Sequence, residues 1–151
     1  MDLFVKHGIY TKEEINARAE IHIENYTTVI GIEANTMVDM IRHDILPAVS
    51  GYATDLCERA ASKDALGVSC KYETTTAKEI AKLTDALMGA CDKLEKDLAK
   101  VPADPTKAMA YSHDTIIADM AKAREAADKL ETMTASDYWP FPVYSDLLFS
   151  V

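Results

Sequence analysis

A single helical face can be traced through the first third of this chain, from Ile15 to Leu56. Apolar side chains recur at Ile15, Ala19, Ile23, Tyr26, Ile30, Ala34, Met37, Ile41, Ile45, Ala48, Tyr52 and Leu56, always three or four positions apart. That spacing places them on one side of an α-helix and on neither face of a strand. Thr11 and Glu14 supply a capping box ahead of the stripe, and Gly8 interrupts whatever precedes it. Pro47 lies inside the stripe without an evident change of phase, although an interior proline removes a helix hydrogen bond and costs about 3 kcal/mol or more. The expected element is therefore one helix from about Lys12 to Ala61, kinked near Ile41–Pro47. Ile21, Val29, Ile32, Val38 and Met40 fall off the main stripe, a pattern expected of a helix covered on more than one face.

With only five glycines and five prolines in 151 residues, the remaining elements should also be few and long. Ser62–Tyr72 loses the period and reads as a loop. A second stripe (Ile80, Leu83, Leu87, Ala90, Leu94, Leu98, Val101) is expected to begin at a cap among Thr74–Thr76. Its Ile80, Leu87, Leu94 and Val101 are seven apart, the seam of a helix lying along a neighbour. Pro102 and Pro105 break the chain, and Asp104 caps a third stripe through Met109, His113, Ile116, Met120, Ala123, Ala127 and Leu130. Its exposed side is expected to hold Asp119, Lys122, Glu125, Asp128 and Lys129. The fold class is all-α: an elongated antiparallel bundle of three long helices, the first kinked, with a short N-terminal segment and an aromatic C-terminal tail. Residues 1–151 are read as one domain.

Five of the eleven aromatic residues lie in the last fourteen positions. Pro140 and Pro142 hold that segment extended. Tyr138, Trp139, Phe141, Tyr144, Leu147, Leu148 and Phe149 form a docking segment that requires a receiving surface, either the bundle's own seam or another subunit.

Little in the residue set suggests chemistry. The apolar and charged fractions, 48% and 27%, are those of a folded chain. A net charge of −9 argues against nucleic acid. No apolar run reaches membrane-spanning length and no signal-peptide core is present. Cys57, Cys70 and Cys91 are an odd number at wide spacing and read as reduced thiols, which points to the cytoplasm. Glu-x-x-His, the ligand pair of carboxylate-bridged di-metal bundles, is absent, and Asp39 with His43 gives two ligands where a site needs more. Cys57, Cys91 and His113 read as packing residues, and Glu20, Glu24 and Glu33 as a solvated face. No catalytic, cofactor-binding or metal residue is assigned.

Several stretches, in this order, resemble the C-terminal helical region of type III glutamine synthetases. They are Leu3-Phe4 through Ile9-Tyr10-Thr11 and Glu14, Ala17-Arg-Ala-Glu-Ile21 with Glu24-Asn-Tyr26, and Ile32-Glu-Ala34 with Met37 and Met40. Ile45-Leu-Pro-Ala48, Ala127-Asp-Lys-Leu-Glu131 and Trp139-Pro-Phe-Pro-Val-Tyr-Ser-Asp-Leu-Leu-Phe149 complete the likeness. The resemblance implies a fragment of a larger cytoplasmic, oligomeric ligase, with Met1 an introduced start. ATP and a divalent metal (Mg or Mn) would belong to a separate catalytic domain, and the partners would be that domain and neighbouring subunits. A noncatalytic structural, assembly or regulatory role follows from the resemblance. The alternatives are a free-standing helical adaptor for a protein partner, or an enzyme using His43, Asp39 and Cys57.

Overall fold

The structure is a computed structural model. It describes residues 2–149, and among these the side chains of all but Asp2, Tyr144, Ser145 and Phe149. The described residues are helical with no strand. Helix α1 (Asp2–Lys6) ends in Gly8, whose φ of 65° lets Gly8 and Ile9 return amides to Val5 and Phe4. Thr11 then caps α2 with both bonds of the expected box: Glu14 N–H to the Thr11 hydroxyl at 3.2 Å, and Thr11 N–H to the Glu14 carboxylate at 2.8 Å. These bonds hold the Glu14 carboxyl below its ordinary pKa.

Helix α2 runs without a break over residues 12–65, as α-helix Lys12–Met40, a π-turn Ile41–Ile45 and α-helix Leu46–Ala65. It outlasts the expected end at Ala61 because Gly67, at φ 69°, closes it only later. There the Gly67 and Val68 amides reach Asp64 and Lys63. Helix α3 (Lys71–Leu98) starts several residues before the expected threonine cap. Cys70 stands at its N-cap without a side-chain bond, and the Thr74 hydroxyl donates back to the Cys70 carbonyl at 2.9 Å. The loop is thus shorter than the lost periodicity suggested. Helix α4 covers residues 105–133, capped by Asp104 on the Lys107 amide at 2.9 Å, with a second π-turn at Ser112–Ile116. A short helix, α5 (Tyr144–Phe149), follows.

The core sits where Leu46–Ala65 of α2 and Ile117–Met133 of α4 pack against α3. Ile80, Leu87 and Leu94, three members of the sevenfold seam, are fully buried, together with Val49, Leu56, Cys91, Ala123 and Leu130. A smaller cluster of Ala34, Leu94 and Ile116 joins the N-terminal half of α2 to the other end of α3.

The stripes shift at both π-turns. Through and after the α2 π-turn the buried residues run Ile41, Ile45, Val49, Tyr52 and Leu56, so Val49 replaces the expected Ala48. Along α4, Ser112 and Ile116 are buried while His113 lies at the surface against Asp114 (2.8 Å), correcting its placement in the seam. A π-turn accommodates one extra residue, which plain 3.6-residue counting passes over. In α2 it ends at Ile45, two residues before Pro47, which has no amide to return to the ladder.

Ion pairs link the helices. Arg42 of α2 reaches Asp92 and Glu95 of α3, both at 2.7 Å, and Lys63 of α2 reaches Glu73 near the start of α3. Lys93 bonds Asp97 on its own helix at 2.8 Å and Asp119 of α4 at 2.6 Å. Asp119 is therefore interior (2% exposed) and does not belong to the solvated face expected for α4. A buried carboxylate must be paired, and the lysine reaching across from α3 is its counter-charge. The ammonium groups of Lys100 and Lys93 hold Asp97 well below the ordinary carboxylate range, and Asp119 and Asp97 raise Lys93.

We expect Leu87→Ala to lower unfolding free energy by about 2–5 kcal/mol in urea, against less than about 0.5 for Leu66→Ala, where the side chain is 81% exposed. A depressed carboxylate pKa stabilises the fold above the unfolded value and loses that contribution as pH falls through the folded one. The melting temperature should accordingly drop on acidification below pH about 4. Lys93→Met should lower it at neutral pH and flatten the acid limb, because Asp97 then loses one of the two ammonium groups that depress its carboxyl pKa. Thermal melts of both proteins at several pH values check this.

Candidate interaction surface

Helix α4 stops at Thr134, whose backbone turns extended (φ −86°, ψ 136°). Its amide and hydroxyl both donate to the Leu130 carbonyl, at 2.9 and 2.7 Å, so the buried threonine satisfies itself at the helix end. A turn follows in which the Tyr138 and Trp139 amides return to the Ala135 carbonyl, at 2.9 and 3.1 Å. This local geometry directs the next three rings onto the main core.

Tyr138 lies against Tyr52 of α2, with ring centroids 5.2 Å apart and planes inclined by 48°. It sits over Gly51, where a Cβ would rest 3.8 Å from the ring, in ordinary van der Waals contact. Trp139 and Phe141 pack edge to face at 6.2 Å, and all three rings are half-buried on the core cluster. Beneath them the Tyr52 hydroxyl lies 3.5 Å from that of Tyr72 on α3. This hydroxyl contact, with burial second, pushes the Tyr52 phenol up to about 12, so it remains protonated at neutral pH.

The rest of the tail lies differently. Asp146 accepts from the Val143 amide at 3.1 Å at the start of α5, and Leu147 and Leu148 are 64% and 56% exposed. The side chains of Tyr144 and Phe149, expected in the same docking segment, lie outside the described residues.

The other residues singled out from the sequence are dispersed. His43 and Asp39 form a surface pair at 3.4 Å, each side chain 75% exposed. Cys91 is buried, and burial raises its thiol pKa. Cys57 is exposed, contrary to its reading as a packing residue: the stripe passes through Leu56, and its neighbour turns outward. Glu20, Glu24 and Glu33 are exposed. Among the described residues no three His, Cys, Asp or Glu side chains come together as a metal-ion site. No helix among them is long and apolar enough to cross a membrane.

Two features leave little trace in the sequence. One is the Lys93–Asp97–Asp119 cluster, for which the only signal was an acidic residue adjoining the phase of the α4 stripe. The other is an open groove of about 450 Å³ between α2 and α4, lined by Ile32, Met37, Met40, Ile41, Met120 and Arg124 among others. The off-stripe residues Ile32 and Met40 were its trace.

Fold and site together define an all-helical protein whose distinctive surfaces are aromatic and apolar. Known proteins narrow this class. Residues 1–64 match the family described as glutamine synthetase C-terminal domain. A glutamine synthetase of Butyrivibrio fibrisolvens is 36% identical over 155 residues, covering 100% of this chain and 22% of its own length. One from Bacteroides fragilis (strain YCH46) is 26% identical, over 98% of this chain and 21% of its own length, and a type-3 glutamine synthetase of Dictyostelium discoideum is 28% identical, over 97% and 21%. This chain spans about a fifth of the length of the curated relatives it matches. Its first 64 residues are thus similar to the C-terminal domains of glutamine synthetases, and a type-3 enzyme is among the relatives of the chain as a whole.

If the aromatic turn closes the bundle, Tyr138→Ala should cost about 1–3 kcal/mol in chemical unfolding, through lost area and the lost ring pair. Leu148→Ala should stay within about 0.5 kcal/mol in the same measurement.

Proposed function

We propose that this chain is a noncatalytic C-terminal domain of a type III glutamine synthetase, serving structure, assembly or regulation of the larger enzyme in the cytoplasm. The observation carrying this reading is that relatives named glutamine synthetase align with essentially all of the chain while extending far beyond it. In the proposal residues 1–151 act as one domain. Their three long helices form an antiparallel bundle, with the first bent around Pro47. The contacts of α2 with α3, descending from Glu95 to Glu73 as α2 ascends from Arg42 to Lys63, support that arrangement.

The reaction proposed for the whole protein is ATP-dependent ligation of glutamate and ammonia to glutamine. That reaction uses ATP and a divalent metal. Both are assigned to a separate catalytic domain. The segment formed by Tyr138, Trp139, Phe141, Tyr144, Leu147, Leu148 and Phe149 is proposed to act in docking. Its first three rings adhere to the domain's own core, and Leu147 and Leu148 are directed toward a neighbouring subunit of a homo-oligomer.

The isolated chain should show no synthetase activity. Removing Tyr138–Val151 from the full-length enzyme should change its sedimentation or lower its thermal stability. Unchanged assembly, stability and kinetics after truncation would remove the docking role, and synthetase turnover by the isolated chain would overturn the noncatalytic assignment.

A further inference from the structure

A cleft of about 480 Å³ lies where the N-terminal arm of α2 meets the end of α3 and the π-turn of α4. Its walls are largely apolar, with Ile30 and Val38 from α2, Leu98 from α3 and Ile116 from α4. Ser112, the first residue of that π-turn, lines the same space although it is only 2% exposed. Its hydroxyl forms no hydrogen bond with another described residue, whereas the Thr27 hydroxyl, also on the cleft wall, donates to the Ile23 carbonyl at 3.1 Å. A buried hydroxyl left without a partner is destabilising, so it calls for a group that enters the cleft. Gly31 lines the cleft as well. It stands in the interior of the Lys12–Met40 helix without a positive φ, and a Cβ there would meet nothing within 4 Å. Glycine weakens a helix interior relative to alanine. Neither the backbone nor a neighbouring side chain requires it here, and its effect is to leave the cleft wider.

Charge decides the class of ligand. Glu95 stands at the rim, its side chain 59% exposed, and Arg42 holds one of its oxygens and one of Asp92 at 2.7 Å each. One guanidinium between two carboxylates leaves the trio negative. Lys93 and Lys100 are balanced by Asp97 and Asp119. The end of α3, which reaches the cleft at Leu98 and Ala99, adds the negative pole of a helix dipole. None of the described residues lining the cleft is Lys or Arg. An anion is therefore disfavoured there and an ammonium favoured. We propose that this cleft binds a small amphiphile: a primary ammonium for Glu95, a short apolar body along Ile30, Val38 and Ile116, and a terminal hydroxyl for Ser112. The inference does not depend on the reading of this chain as part of a synthetase.

The test titrates ω-aminopentanol into the full-length polypeptide by calorimetry, with pentylamine and ω-hydroxypentanoate as matched probes. Aminopentanol should bind saturably and about 3–10-fold more tightly than pentylamine, the worth of one hydrogen bond. The acid should bind far more weakly than either amine. Ser112→Ala should abolish the difference between the two amines, a readout that a change in stability alone would not move. Gly31→Leu adds a side chain whose Cβ meets no neighbour, so the melting temperature should hold or rise. The same variant should weaken both amines about tenfold or more, because it fills the space they need. Binding elsewhere on the polypeptide would be untouched by Gly31→Leu, so unchanged affinities in that variant overturn the proposal. Equal affinity for the acid does so too, as does the absence of saturable binding, which leaves the Ser112 hydroxyl to water. If Gly31→Leu fails to fold, Ser112→Ala decides: a persisting gap between the two amines overturns the proposal.

Discussion

The whole arrangement depends on keeping one helical face against its neighbours for longer than a regular α-helix allows. At 3.6 residues per turn a step of four overshoots by about 40°, so two successive steps of four carry a side chain about 80° off its face. The buried series of α2 contains such steps, Ile41 to Ile45 to Val49, and that of α4 has Ala108 to Ser112 to Ile116. In each case the π-turn occupies the same residues and takes up the excess rotation. Without them Val49 and Ile116 would rotate out of the two clusters that unite the helices. Pro47 fits the same logic, because the ladder changes register where its amide is missing.

The Lys93 cluster depends on the same register. Asp119 lies three residues beyond Ile116, on the inward side once the α4 turn has been made. Burial of a carboxylate is tolerated because Lys93 reaches it while also holding Asp97. The cluster therefore specifies how α3 and α4 align more sharply than the surrounding aliphatic contacts, which would accept a sliding neighbour.

Much of this was legible in the residues. The capping box at Thr11, the seam of Ile80, Leu87 and Leu94, the Asp104 cap and the surface pair of Asp39 with His43 all follow from spacing and side-chain chemistry, and all are present. What escaped has a common cause. Periodicity assumes a constant turn, so it could not show that Val49 would displace Ala48, that His113 would turn outward, or that Asp119 would turn inward. Threonine is a good cap, which favours Thr74–Thr76 as the start, but the helix gains an extra turn upstream and Thr74 bonds back within it. In the tail, composition showed that rings must dock. It could not separate Tyr138, Trp139 and Phe141, which reach their own core, from Leu147 and Leu148, which are exposed.

The off-stripe residues of α2 bear most directly on function. Their pattern is that of a helix covered on two sides, yet α3 and α4 cover only one. The N-terminal part of α2 has the fewest inward anchors: Ala34 is its sole buried residue as far as Met40. An isolated helix in water is marginal even at favourable length, and most helix stability in proteins comes from packing. The Thr11–Glu14 box secures one end of this arm and the Ala34 cluster the other. The intervening turns have the composition of a packed helix and the exposure of a free one. A stripe of that kind gains stability when a second surface completes it, because packing, more than propensity, holds a helix in water.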